Sequence, residues 1–209
     1  MIKELIHTPE GVRDIYGDEE QRKLWIEDKI KKVIYSYGYE DIQTPTFEYF
    51  DVFSKGIGTT SSRELYKFFD KEGDTLTLRP DFTPSVARCV AKYFSDETKP
   101  VKLTYLGNTF INTSNLQGKL KEATEIGVEL MNDESAFADA ETINLVIESL
   151  KSTGLNNFQI SVGHMEYFKG LCESVGINEE DELLLREYIS SKNYILAEEL
   201  IDSLVKNPS

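Results

Sequence analysis

Apolar positions recur at helical spacing between residues 18 and 37, where Ile26, Ile30, Val33, Ile34 and Tyr37 form one stripe. Asp18 is placed to cap this helix, with Gln21 three residues on, and Gly38 to end it. YEDIQTPTFE then reads as a strand whose far end is broken, or confined to an edge, by Pro45. SKGIGTTSS is a loop by composition, after which LYKFFD and TLTLRP flank KEGD as the two arms of a hairpin. Residues 84–94 read as a helix with Pro84 in its first turn. VKLTYLGNTFI and LKEATEIGVELM are two long strands joined by the polar loop NTSNLQGK. The second sets Ile126, Val128 and Leu130 on one face against Glu125, Gly127 and Glu129 on the other. Residues 135–151 follow as a helix and FQISVGH as a further strand. Three helical stretches close the chain: MEYFKGLCESVG, EEDELLLREYISS and NYILAEELIDSLVK.

Strands gathered into hairpins, with helices before and after, predict an α+β fold rather than a doubly wound sheet. We expect a core over residues 1–175 and a helical segment over 176–209. The chain has 209 residues, with 11 Phe and 11 Tyr, which is enough apolar volume for one sizeable core.

Charge narrows the range of partners. The formal net charge is −14, and from Met131 onward 15 acidic side chains face 5 basic ones. Proteins that bind nucleic acid through its phosphates need a basic surface, so the second part is a poor nucleic-acid surface. No apolar run approaches the roughly 20 residues of a membrane span, and the N-terminus has no secretory pattern. Cys89 and Cys172 belong to no CxxC or Cys/His cluster, and His7 and His164 have no metal-ligand spacing. Together these features predict a cytoplasmic protein without a metal.

Five segments, in order, resemble the histidyl-tRNA synthetase family and its paralogues. TPEGVRDIYGDE is similar to the family's N-terminal segment. The first helix with YGYEDIQTPTFE resembles motif 1 of class II synthetases, which builds the dimer interface. TLTLRPDFTPSVAR resembles the amino-acid-binding segment. YLGNTFINTSNLQGKLKEATEIGVEL resembles motif 2 and the strand that reads histidine, and ISVGHMEYFKGL the segment after the next helix. The fold implied is a class II synthetase-like antiparallel sheet flanked by helices. Family members run longer, so the resemblance also implies that the chain stops at the start of an inserted helical segment, before the last strands of the sheet.

Three departures from the family pattern concern ATP. Where the family has F-R-x-E, this chain has Phe110-Ile111-Asn112-Thr113, and where it has R-x-R-E-F the run is Lys119-Leu120-Lys121-Glu122-Ala123. Ile111 has no donor for a phosphate, Thr113 is too short for the adenine-directed carboxylate, and Ala123 lacks the ring that stacks on adenine. One preorganised donor is typically worth about 2–4 kcal/mol of barrier, so the resemblance implies that histidine activation is lost.

The amino-acid side is kept. Asp81 and Thr83 fall where the family receives the histidine ammonium, and Glu129 where its carboxylate pairs with the ligand. Glu125 replaces the usual glutamine on the same strand. Four residues apart, Glu125 and Glu129 share a face about 13 Å apart, with Arg79 and Arg88 available to balance their charge. Asp81 is equally well placed to cap the helix that follows it.

The resemblance therefore implies a non-catalytic regulatory paralogue, with no cofactor, that binds the catalytic subunit of ATP phosphoribosyltransferase and senses histidine. It also implies a homodimer formed through the motif 1 region. The alternative is a histidyl-tRNA synthetase or a piece of its catalytic core.

Overall fold

The computed structural model describes residues 6–54, 62–113 and 118–204. Most of the expected loop SKGIGTTSS and the middle of NTSNLQGK lie outside the described residues. Two compact units divide the chain, residues 1–158 and 159–209.

The first unit opens with α1 (Asp18–Ser36), which begins one residue earlier than a cap at Asp18 predicts. Gly17, not Asp18, is the N-cap, with φ 61°, and its carbonyl accepts the Gln21 amide. Asp18, Glu19 and Glu20 instead fill the first turn, where negative charge favours the exposed amides. At the other end Gly38, at φ 80°, turns the chain out of the helix.

The expected strand YEDIQTPTFE is split in two. β1 (Glu40–Asp41) pairs in parallel with β5 (Val101–Phe110), and β2 (Phe47–Tyr49) joins a different sheet. Pro45 lies between them and can donate to neither ladder. β2 pairs antiparallel with β4 (Thr75–Leu78), which pairs with β3 (Lys67–Phe69) to form the predicted hairpin. Asp70 closes its turn by accepting the amides of Glu72 and Asp74. A four-residue helix α2 (Asp51–Ser54) follows β2.

The main sheet has the order β1-β5-β6, with β5 and β6 (Glu122–Met131) in a ten-pair antiparallel ladder. It is thus mixed rather than purely antiparallel, because β1 enters alongside β5. Helices cover both faces. On one side, α3 (Thr83–Tyr93) brings Phe82, Val86 and Val90 against Val101, Leu103 and Tyr105. On the other, α1 and α4 (Ala136–Ser152) pack Ile34, Tyr39 and Leu145 against Ile126, Val128 and Leu130. The alternation read from the sequence therefore separates two cores, one on each side of β6.

The expected strand at FQISVGH does not form: residues 158–164 join no ladder. β propensity alone cannot hold a strand, which needs a hydrogen-bonded neighbour. The second unit contains α5 (Met165–Ser174), α6 (Glu179–Ser190) and α7 (Tyr194–Leu204) around Cys172, Leu185 and Ala197. Its packing groups α5 with the two later helices, whereas the sequence pattern groups it with the core. Among the described residues, no helix is long and apolar enough to cross a membrane.

Candidate functional site

Ladder register decides which side chains meet. Glu125 lies opposite Gly107, Gly127 opposite Tyr105, and Glu129 opposite Leu103, all on the face that α3 covers. α3 starts at Thr83, directly over this face. The Thr83 hydroxyl donates to Glu129 Oε1 at 2.6 Å, and the Thr83 amide donates to Asp81 Oδ1 at 3.0 Å. Thr83 thus links the two carboxylates. Glu125 is held separately, accepting the buried Thr109 hydroxyl at 2.9 Å. All four predicted residues share one region, but only Asp81, Thr83 and Glu129 form a connected set.

The helix-capping alternative for Asp81 also holds in part. Phe82 is the N-cap and makes no side-chain cap bond, while Asp81 accepts the first helical amide from one residue further back.

Phe82 and Tyr105, which the sequence reading did not assign to the site, form its floor together with Arg79. The Phe82 and Tyr105 rings stack 4.2 Å apart and 9° from parallel, and the Arg79 guanidinium sits 4.0 Å from the Phe82 centroid. This stack lies on two glycines. A Cβ on Gly107 would come within 2.7 Å of Arg79 Nη2 and 2.9 Å of Phe82 Cζ, and one on Gly127 would overlap the Tyr105 hydroxyl and Cζ. Glycine inside a strand, here Gly107 in β5 and Gly127 in β6, marks such a close approach and was the available sequence signal.

Burial sets the electrostatics. It pushes the Glu129 carboxyl above its ordinary range, opposed by the Thr83 hydroxyl and reinforced by the charge of Asp81. Burial also raises Glu125, opposed by Thr109, with Asp81 raising it further and Arg79 lowering it. The Tyr105 phenol is pushed up to about 12, first by burial and then by Glu129 and Asp81, so it stays neutral at pH 7 and can donate. The arrangement suits a cationic group, whose charge would favour the ionised form of both carboxylates.

The expected role of the two arginines needs correction. Arg79 is nearly buried, and its fork is spent on backbone: Nε donates to the Asn108 carbonyl at 2.8 Å, and Nη1 to Thr44 at 3.1 Å and Pro45 at 3.4 Å. Its charge still reaches Glu125, but its main task is to tie the 44–46 segment to β5. Arg88 is turned away, donating Nε and Nη2 to Glu48 Oε1 at 3.0 and 2.7 Å.

The nucleotide positions follow β5 and β6 toward their loop. Ile111 is half-buried and donates its amide to the Lys121 carbonyl at 2.9 Å. Asn112 donates its amide to the Glu64 carbonyl, and Lys121 its own to Gly11. Ala123, on the Glu125 face opposite Thr109, is exposed. The backbone of this region is tightly fixed, yet positions 111, 113 and 123 carry neither a cation, a carboxylate nor a ring. Among the described residues, no group of three or more His, Cys, Asp or Glu could hold a metal ion.

A mixed sheet carrying a long hairpin, one face under α3 and the other under α1 and α4, is the α+β fold of class II aminoacyl-tRNA synthetase cores. Two solved structures match it: the ATP phosphoribosyltransferase regulatory subunit/histidyl-tRNA synthetase from Bacillus halodurans C, and apo S. aureus histidyl-tRNA synthetase. The first has a TM-score of 0.84 and 36% identity, over 96% of this chain and 52% of that one. The second has a TM-score of 0.66 and 28% identity, over 93% and 46%. The chain belongs to the histidyl-tRNA synthetase family, whose model matches residues 11–208. The ATP phosphoribosyltransferase regulatory subunit of Acetivibrio thermocellus is 42% identical over 197 residues, 94% of this chain and 47% of that protein. That of Clostridium acetobutylicum is 37% identical over 201 residues, 96% and 49% respectively. The chain spans about half the length of these relatives.

Proposed function

We propose that this chain is the synthetase-like half of a regulatory subunit of ATP phosphoribosyltransferase, which binds histidine and does not activate it. The observation that carries this reading is Ile111. An aliphatic side chain on a fixed backbone stands where a phosphate-gripping guanidinium would be required, and Thr113 and Ala123 compound the deficit. The amino-acid end, by contrast, keeps Asp81, Thr83, Glu125 and Glu129 on one face. An effector site needs only to bind two states of an assembly with different affinity, so it has no use for transition-state chemistry.

The catalytic subunit of ATP phosphoribosyltransferase is the partner, and histidine the ligand whose binding biases that contact. The protein works in the cytoplasm as a homodimer. A dimer face is supported by the small sheet, where Phe47, Tyr49 and Phe68 stand on one side, 51%, 58% and 37% exposed, with Phe47 and Phe68 in edge contact. ATP–pyrophosphate exchange with histidine tests the central point. No turnover above background is expected, together with co-purification with the catalytic subunit. Formation of histidyl-adenylate at a synthetase-like rate would overturn the reading.

A further inference from the structure

On the β1 side of the main sheet, residues 43–46 stand off the edge of β5. The chain is still on the strand at Ile42, whose amide donates to the Thr104 carbonyl at 2.8 Å. Beyond that point only Arg79 ties it to β5. Its fork joins the Thr44 and Pro45 carbonyls to that of Asn108, and its own amide donates to the Thr46 carbonyl at 3.0 Å. A cavity of about 370 Å³ lies in the gap, with Lys31, Asp41, Gln43, Thr44, Arg79 and Leu106 in its lining. Glu125 and Glu129 stand on β6, at the other edge of the sheet.

Two features of this lining are incomplete without a further group. Arg79 is 7% exposed, and among the described residues no carboxylate lies within ion-pairing distance of it. Its partners are neutral carbonyls, and a buried charge held only by neutral groups is costly. Thr44 is 5% exposed, and its hydroxyl has no partner among the described residues. A buried hydroxyl left unsatisfied is a cost that a ligand can remove. Lys31 adds a second cation. The carboxylate in the lining, Asp41, is already engaged, accepting Lys31 Nζ at 3.2 Å and the Tyr35 hydroxyl at 2.6 Å. Two cations against one paired carboxylate leave the cavity with a net positive charge.

We propose that this cavity binds a small oxyanion, a phosphate or a carboxylate, between Lys31 and Arg79. Lys31 gives the donors that Asp41 does not use, Thr44 gives its hydroxyl, and Arg79 contributes its charge. The anion thereby stabilises the 43–46 segment on β5. None of this depends on the histidine-site reading.

Thermal unfolding of the 209-residue chain, followed by Trp25 fluorescence, tests the proposal with inorganic phosphate and with acetate, each against chloride at equal ionic strength. A ligand of the folded state raises Tm saturably, by about 3–6 °C at about 50 mM for millimolar affinity. That rise is expected with phosphate, with acetate or with both, and which of them acts identifies the anion. Thr44→Val and Lys31→Gln should each lose the saturable part. Thr44→Val should nevertheless match or exceed the wild-type Tm in chloride, because it removes an unpaired buried hydroxyl. A rise that does not saturate and is equal in all three proteins is the general effect of an excluded salt and would overturn the proposal. So would no rise with either anion, or a saturable rise that both variants retain.

Discussion

Gly127→Ala is the sharpest probe of the site's construction. Gly127 has ordinary extended geometry, so alanine meets no backbone penalty there; the conflict is with Tyr105. The new Cβ would overlap the phenol oxygen and Cζ and come within 2.7 Å of Cε2. Tyr105 cannot easily give way, because its ring is stacked on Phe82 at 4.2 Å and Phe82 is covered by Arg79. Forcing a methyl into packed surroundings costs about 1–3 kcal/mol, and overlap with the phenol oxygen and two ring carbons places this case toward the upper end. Replacing a strand glycine returns about 0.5–1 kcal/mol. The net expectation is a loss of about 1–2.5 kcal/mol, or about 3–8 °C in Tm for a unit of this size. Trp25 is the only tryptophan and lies in the first unit, so urea unfolding followed by its fluorescence reports on that unit alone. In a Tyr105→Leu background the same substitution should cost at least about 1 kcal/mol less, the coupling expected of residues in contact. A Gly127→Ala variant within about 0.3 kcal/mol of wild type, or an unchanged cost in the Tyr105→Leu background, would refute the packing argument.

Glu129→Gln should abolish ligand binding yet leave the unliganded fold at least as stable at neutral pH, because it removes a desolvated charge while retaining an acceptor for Thr83; unfolding of the unliganded proteins checks this. The pH dependence has a defined sign. Since Glu129 has its folded pKa raised, the folded state holds more protons between the unfolded value near 4.5 and that raised value. The stability of wild type relative to Glu129→Gln should therefore rise as pH falls through this window, while affinity for a cationic ligand falls. Opposite trends would contradict the electrostatic account. Arg79→Lys should destabilise by about 2–4 kcal/mol, because a lysine cannot span the carbonyls of Thr44, Pro45 and Asn108 that the fork joins; thermal unfolding measures it. Ile111→Arg alone should restore no ATP–pyrophosphate exchange, since Thr113 and Ala123 still lack the groups that hold adenine.

The elements with strong local signals were legible in the sequence. The β5–β6 hairpin is an example: its period of two both defines a strand and separates Glu125 and Glu129 from the apolar face. The same period could not show that the acidic face is also partly a core face, since Leu103 and Tyr105 come from the partner strand. What failed was whatever depends on a distant partner. Asp41 and Phe47 look like parts of one strand, but they pair with β5 and β4, on different sheets. Residues 158–164 have strand composition and no ladder. Arg79 and Arg88 lie nine positions apart and read equally as counter-charges for the site; only folding commits one to backbone carbonyls and the other to Glu48.

That difference matters for how the site operates. If Arg79 faced the carboxylates with a free fork, Glu125 and Glu129 would have a cationic partner without ligand, and a cation entering the pocket would gain little. Because Arg79 is spent on backbone, Glu129 is stabilised chiefly by the Thr83 hydroxyl, and burial holds its affinity for protons high. On the proposed reading, a ligand ammonium would supply the missing charge at a position already fixed by the start of α3. Thr83 is the first residue of that helix, so whatever displaces or tightens its hydroxyl acts directly on the packing of Phe82, Val86 and Val90 against β5. On the proposed reading, such a site would convert occupancy into a change in how one helix sits on its sheet, which a regulatory surface could transmit and a catalytic one would not require.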